Sequence, residues 1–390
     1  MLPPRRVEAS SRFPPARIEW TTLHMRNGVQ VVGDGKAVLL KVPSITSALV
    51  DYIGYGHYEF TVAEPDKFKV GMGVLITDKN AGGFYETTAT IIGQKGRLFF
   101  IDRMLVHDYV PFNEGRVNTL FPLIDGYGAR DFSVRGLVLD GNVEETRRLS
   151  GCRGGCVFLL NCHNVQLDGI EARHYLGDGI SFQQCTDISV TNCYVHDLRG
   201  CGLHPGSGSV RYVFRRNRVI KNTNCGLFYC LRTTHSRCEE NVIEENGAEG
   251  ISVGERDTNH AILNNVIRNN GGPGINFRKF VHQGGDDAFI QDNRIEHNCQ
   301  KEGEHEIVIP DGLHGIWIHR NTITPAKGKA LSVGATATDI VFAENTVSGH
   351  PQTTTDVVGN TASVKFALPS GQLPVGPEAA PEDSARHLHI

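Results

Sequence analysis

One spacing governs what this chain can fold into. Asp178-Gly179-Ile180-Ser181-Phe182 is echoed by Gly202-Leu203-His204-Pro205, Gly226-Leu227-Phe228-Tyr229, Gly250-Ile251-Ser252-Val253 and Gly274-Ile275-Asn276-Phe277, at intervals of 23, 24, 24 and 24 residues. Cys156-Val157-Phe158-Leu159 fits the same frame one interval earlier. A parallel series runs Asn217, Asn241, Asn265, Asn293, Asn321 and Asn345. Self-similarity at such a period means a stacked repeat. Within one repeat, 179–183, 187–191 and 193–196 read as three short strands that alternate in and out and are too short for amphipathic helices. Three strands per turn of this length predict an all-β chain, a right-handed parallel β-helix solenoid with an N-terminal β-rich insertion. The recurring Asn is expected to point inward at a turn and hydrogen-bond the next coil, satisfying turn backbone that would otherwise be unpaired.

A solenoid carries 390 residues in one domain. The net charge of −4, with 21% of residues charged, gives no support for nucleic acid or an anionic membrane as partner. The apolar runs are far shorter than a spanning helix. Met1-Leu2-Pro3-Pro4-Arg5-Arg6 lacks the apolar core of a signal peptide, so the compartment stays open. All ten cysteines lie between Cys152 and Cys299; Cys201 and Cys225 share one column, and Cys162 and Cys185 another. They are expected to be free thiols packed as small apolar residues. Without CxxC pairs or His/Cys ligand spacing, neither a metal site nor a cofactor is expected.

In chain order, 1–20 is Pro- and Arg-rich and reads as an unstructured lead-in, and 21–49 as the opening strands or cap of the solenoid. Residues 50–120 break the period and read as an inserted antiparallel subdomain leaning on the solenoid's N-terminal end. The β-helix is expected over 121–367, with eight to ten coils in 120–350, and 368–390 as a loose tail. Residues 143–155, with Glu144, Glu145, Arg147 and Arg148, do not fit the period and are expected to form a surface loop, and two coils are lengthened, one by 279–288, with His282, Asp286 and Asp287, the other by 300–305. Long loops on a regular solenoid wall binding grooves.

Because alternate strand residues face outward, columns can be read from the frame. One outward column is Phe158, Ser181, His204, Phe228, Ser252 and Asn276; the next is Leu160, Gln183, Gly206, Cys230, Gly254 and Arg278. Asp178, Cys201, Cys225 and Glu249 come just before the strand. This is the most polar and least regular face, hence the groove candidate. The proposed catalytic residues are His204, Asp178, Arg256 and Glu255; the proposed substrate contacts are Ser181, Gln183, Ser207, Phe228, Arg232, Asp257, Asn276, Arg278 and Lys279. His204-Pro205-Gly206-Ser207 interrupts a strand where a β-former belongs, and Pro removes a ladder donor. The plain alternatives are a bulge with a surface His, a solvated turn at 255–259, scattered surface cations and a turn-capping Asp178.

The coils, the Asn series and the Leu139-Asp140-Gly141-Asn142 turn resemble the pectate-lyase-like superfamily of right-handed β-helix proteins, over roughly 120–350 with 23–48 as the opening turn. That resemblance implies the fold and a polysaccharide or oligosaccharide partner; the superfamily holds lyases, polygalacturonase-type hydrolases, epimerases and tailspikes, so it selects no single chemistry. The hydrolase motifs are mostly missing. Gly177-Asp178-Gly179 keeps one Asp of the family's pair, Gly200-Cys201-Gly202 has Cys where Gly-His-Gly has His, and Arg278-Lys279 is only loosely like Arg-x-Lys. Hydrolysis needs two carboxyls about 5–10 Å apart, and only a loop acid such as Asp286 or Asp287 would complete a pair with Asp178. β-Elimination from a uronate needs cations on the carboxylate and a base, which His204 with Arg232, Arg256 and Arg278 matches better. The competing class is a non-catalytic, tailspike-like sugar binder using Phe228 and Tyr229. Oligomeric state is left open.

Overall fold

The structure is a computed structural model that describes residues 10–12, 16–143, 149–280 and 283–368. Three sheets of twelve, eleven and twelve strands, parallel except for the antiparallel edge strand His350–Pro351, run side by side along one axis. One coil contributes Asp178–Gln183, Thr186–Thr191 and Tyr194–His196, which define the first, second and third faces. The register is that of the repeat: Ile180 pairs with Leu203, Leu203 with Leu227, Leu227 with Ile251, and Ile251 with Ile275. Ile180, Ile251 and Ile275 are fully buried. Nine first-face strands begin at Ile124, Gly155, Asp178, Leu203, Leu227, Ile251, Ile275, Ile307 and Leu331, within the expected range.

The corner between the second and third faces shows why the chain turns where it does. Asn192, Arg216, Glu240, Asn264 and Asp292 occupy equivalent positions with φ of 54°, 55°, 57°, 55° and 55°. At this corner one left-handed residue in each of these coils breaks the strand and redirects it. The orphaned backbone there is caught by the asparagines. Asn217 Nδ2 donates to Asn241 Oδ1 at 2.9 Å, Asn241 to Asn265 at 2.9 Å, and so on through Asn293, Asn321 and Asn345 to Gln352. A second ladder at the corner after the third face joins Asn222, Asn246, Asn270 and Asn298 and ends on Glu306. Its spacing of 24, 24 and 28 was present in the sequence but unread. All ten cysteines are free, as expected.

The solenoid starts earlier than expected. Ser10–Arg12 pairs with Gln30–Val32, and Arg17–Trp20 with Val38–Lys41, so part of 1–20 is coil rather than lead-in. Ile18 and Trp20 pack on the core, and that alternation outweighs the neighbouring prolines. Residues 1–9 and 369–390, where the rest of the lead-in and nearly all of the tail were expected, lie outside the described residues.

Leu23 pairs with Ile124, Val31 with Val134 and Leu39 with Leu139, so one coil passes directly to the next while the chain between makes an excursion. That excursion is a six-stranded antiparallel sheet ordered Thr46–Ala48, Arg116–Asn118, Gly73–Thr77, Thr87–Lys95, Leu98–Ile101 and Glu59–Thr61. It therefore begins at Thr46, slightly before residue 50. Its own core centres on Phe60 and Phe99, stacked at 5.2 Å, with Phe68 edge-on. Among the described residues no helix is long and apolar enough to cross a membrane.

Candidate active site

The first face delivers the expected outward column. Asp125, Phe158, Ser181 and His204 lie in register, followed by Phe228, Ser252 and Asn276. Asp178 opens its strand, and its Oδ2 lies 2.6 Å from His204 Nδ1 on the next coil. Its other oxygen accepts the Cys201 backbone N–H at 2.8 Å. The carboxylate thus orients the imidazole so that Nδ1–H faces Asp178 and Nε2 is left for other work. Burial disfavours the imidazolium, but Asp178 and the neighbouring Cys230 outweigh it and push the His204 pKa up to about 9. His204 Nε2 is buried and has no hydrogen-bond partner. Nor does Gln183 Oε1 in the second outward column.

A loop from the preceding coil covers this pair. The Gly151 carbonyl accepts Ser181 Oγ at 2.5 Å and Gln183 Nε2 at 3.4 Å. A Cβ on Gly151 would stand 1.9 Å from Asp178 Oδ2 and 2.3 Å from His204 Nδ1, so no larger residue fits there. Beside it lies a cavity of about 790 Å³. Its floor is Asp178, Cys201, Cys225, His204 and Phe228; one wall is 150–152, and the other comes from the inserted subdomain through 81–83, Glu86 and Arg116. The Arg116 Nε is buried without a partner. On the downstream side Arg278 lies over the Phe228 ring at 4.0 Å and donates to Ser252 Oγ and the Tyr229 carbonyl. Phe228 meets the His204 ring edge-on at 5.1 Å. Glu249 accepts Cys225 Sγ at 3.0 Å and Asn276 Nδ2 at 2.8 Å. Burial alone would raise its pKa, but those two bonds, with Arg278 nearby, hold its carboxyl below the usual range.

The structure thus gathers Asp178, Ser181, Gln183, His204, Phe228, Asn276 and Arg278 around one end of the first face. It does not gather the others. Ser207, Arg232 and Arg256 have φ of 48°, 58° and 58° and form the corner at the opposite, strand-end edge. Arg232 and Lys279 are exposed there, and Arg256 pairs with Glu255 at 3.2 Å. None of these lines the cavity. Asp257 is fully buried, accepting the Thr233 N–H, the Thr233 hydroxyl and the Gly254 N–H. It caps a turn, because an acid buried in a corner must spend its oxygens on backbone. Asp286 likewise accepts the His314 N–H at 3.0 Å and Asp287 faces His314, so neither folds over the groove. His282, Glu144, Glu145, Arg147 and Arg148 lie outside the described residues.

Sequence reasoning missed Gly151, Glu86 and Arg116. Gly151 stands in a stretch outside the repeat frame, and the other two belong to the insertion, so no column could have aligned them with His204. Glu249 shares the Asp178 column, and that alone was a usable signal.

Residues 135–282 match the family model of the right handed beta helix region. The chain folds as a right-handed parallel β-helix. Similar solved structures include the Azotobacter vinelandii mannuronan C-5 epimerase AlgE4 A-module, at 14% identity over 93% of this chain and 90% of that one, with a TM-score of 0.55. The Yersinia enterocolitica family 28 exopolygalacturonase is 10% identical over 93% and 73%, with a TM-score of 0.52. The Geobacillus virus E2 ORF18 protein is 10% identical over 88% and 54%, with a TM-score of 0.57. No curated protein matches the sequence.

Proposed function

We propose that this protein cleaves an acidic, uronate-containing polysaccharide by β-elimination, with Asp178 and His204 as its proton-transferring pair. The observation that carries this reading is a single imidazole. Its Nδ1 is held by Asp178, and its Nε2 is buried without a partner at a cavity floor. Leaving such a nitrogen unpaired costs about 1–3 kcal/mol, which a ligand group brought to it would recover. The similar structures named as a mannuronan epimerase and an exopolygalacturonase are in keeping with that substrate class.

The proton on C5 of a uronate becomes acidic once the carboxylate charge is neutralised. Arg116 on one side and Arg278 on the other replace Arg232 and Arg256 in that role, since only the former pair borders the cavity or its open end. Neutral His204 takes the C5 proton. The C5–H electron pair forms the C4=C5 double bond, the C4–O4 bond breaks, and O4 leaves with a proton from the imidazolium or from water. Asp178 stabilises the imidazolium as it forms.

One observation favours hydrolysis as a second reading. Glu86 is a carboxylate in the cavity wall facing the Asp178 side, which the 286 and 287 acids are not. Incubation with polyuronates separates the two. Unsaturated product absorbing in the ultraviolet is expected, and reducing ends formed without that absorbance would assign the reaction to Asp178 and Glu86. His204→Gln should lower turnover by about 10² or more; full activity in that variant would overturn the proposed role.

A further inference from the structure

We infer that the groove is open on one side of His204 only, so that the protein takes its substrate by a chain end and acts as an exo-enzyme; this rests on the cavity being the polysaccharide site. On a bare β-helix the outward positions of a face meet solvent along its whole length, and a polymer can lie across them. Upstream of His204 they do not. Asp125, Phe158, Ser181 and Gln183 all point outward, yet their exposures are 5%, 2%, 0% and 2%.

Two structures roof them. The inserted subdomain lays the Arg103 guanidinium on the Tyr127 ring at 3.4 Å, and Tyr127 in turn contacts Phe158. The 149–154 loop continues the cover over Ser181, Gln183 and the Asp178–His204 pair through the Gly151 carbonyl. The two are tied together: Thr88 Oγ1 donates to the Arg153 carbonyl at 3.1 Å, and Arg153 donates to the Phe84 carbonyl. The cover is therefore continuous from the first coils to His204.

Downstream the same column is open except at Ser252, which Arg278 covers. Phe228, Asn276, Val308 and Ser332 are half-buried, alternating with buried neighbours as an uncovered strand should. A polymer threaded past His204 in both directions would have to displace Gly151 and the subdomain behind it. A chain entering from the Phe228 side and ending at the roof meets the Arg278 side chain and leaves the roof in place.

Two measurements test this. With wild-type protein and a long polyuronate, products of one small size should accumulate from the earliest time point while solution viscosity barely falls. A ladder of sizes with an early collapse of viscosity would overturn the inference while leaving the chemistry standing. With His204→Gln, titration against chains of graded length should saturate at one protein per chain whatever the length. Capacity that grows with chain length would overturn the inference independently of turnover. Failure to bind any acidic polymer would sink the substrate reading and this one together. Arg153→Ala, which removes the side-chain half of the tie between loop and subdomain and leaves the Thr88 bond to the backbone, should add longer products to the wild-type pattern.

Discussion

Replacing Asp178 by asparagine isolates the electrostatics of the site with little change of shape. The amide that Asp178→Asn introduces would keep an oxygen for the Cys201 N–H and turn an NH2 donor, without charge, toward His204 where the carboxylate accepts. In the native protein the His204 pKa is raised from 6.5 to about 9 against the opposing effect of burial. A raised pKa adds stability that is fully present below 6.5 and is lost as pH climbs through 9. At about 1.4 kcal/mol for each tenfold change in proton affinity, that rise is worth roughly 3 kcal/mol. In Asp178→Asn only Cys230 still opposes burial, so the His204 pKa should fall. The gap in unfolding free energy between the two proteins should therefore shrink, by up to roughly 3 kcal/mol, between about pH 6 and about pH 9.5. Urea unfolding across that range measures the gap. Histidine-ring NMR, with His204→Gln identifying the resonance, measures the titration directly. A gap that stays constant with pH, together with an unchanged His204 titration, would refute the assigned coupling. In turnover, the wild-type rate should climb toward pH 9 as the neutral base fills, and a rate that falls over that range would exclude His204 as base.

Other expectations follow from single residues. Asn241→Ala strands the Asn217 amide groups and the Phe214 carbonyl inside the ladder, and should cost roughly 4 kcal/mol in denaturant unfolding. His260 is buried against Tyr229, and burial with the charge of His235 lowers its pKa to about 3. Its neutral form is favoured, so stability present above 6.5 should be lost as pH falls, by roughly 3 kcal/mol at about pH 4. His260→Gln should remove that part of the acid dependence in urea melts. Arg116→Ala should raise KM for a polyuronate about tenfold while leaving the melting temperature nearly unchanged, since its Nε holds nothing within the chain.

Legibility in the sequence followed the period. Wherever a residue belonged to the frame, its partner one coil away was known by counting, and hydrogen bonding between parallel strands makes counting equal to proximity. That is why the His204, Phe228 and Asn276 column and the asparagine row could be written from the letters. The same counting placed Arg232, Arg256 and Arg278 on neighbouring coils, yet it could not tell a groove-facing guanidinium from one on a left-handed corner. Arg278 folds back over Phe228, whereas Arg232 and Arg256 turn away.

By itself, then, the sequence determined the solenoid, its register, its inward rows and which face was irregular, because each is a local pattern repeated at a constant interval. The tertiary structure alone decided which edge of that face borders the cavity. The cavity takes its walls from a loop outside the frame and from a subdomain inserted between two coils. Contacts between a repeat and a non-repeating excursion have no period, so only the packing of Gly151, Arg103 and Arg116 against the first face reveals that the groove is roofed upstream and supplied with a cation from across it.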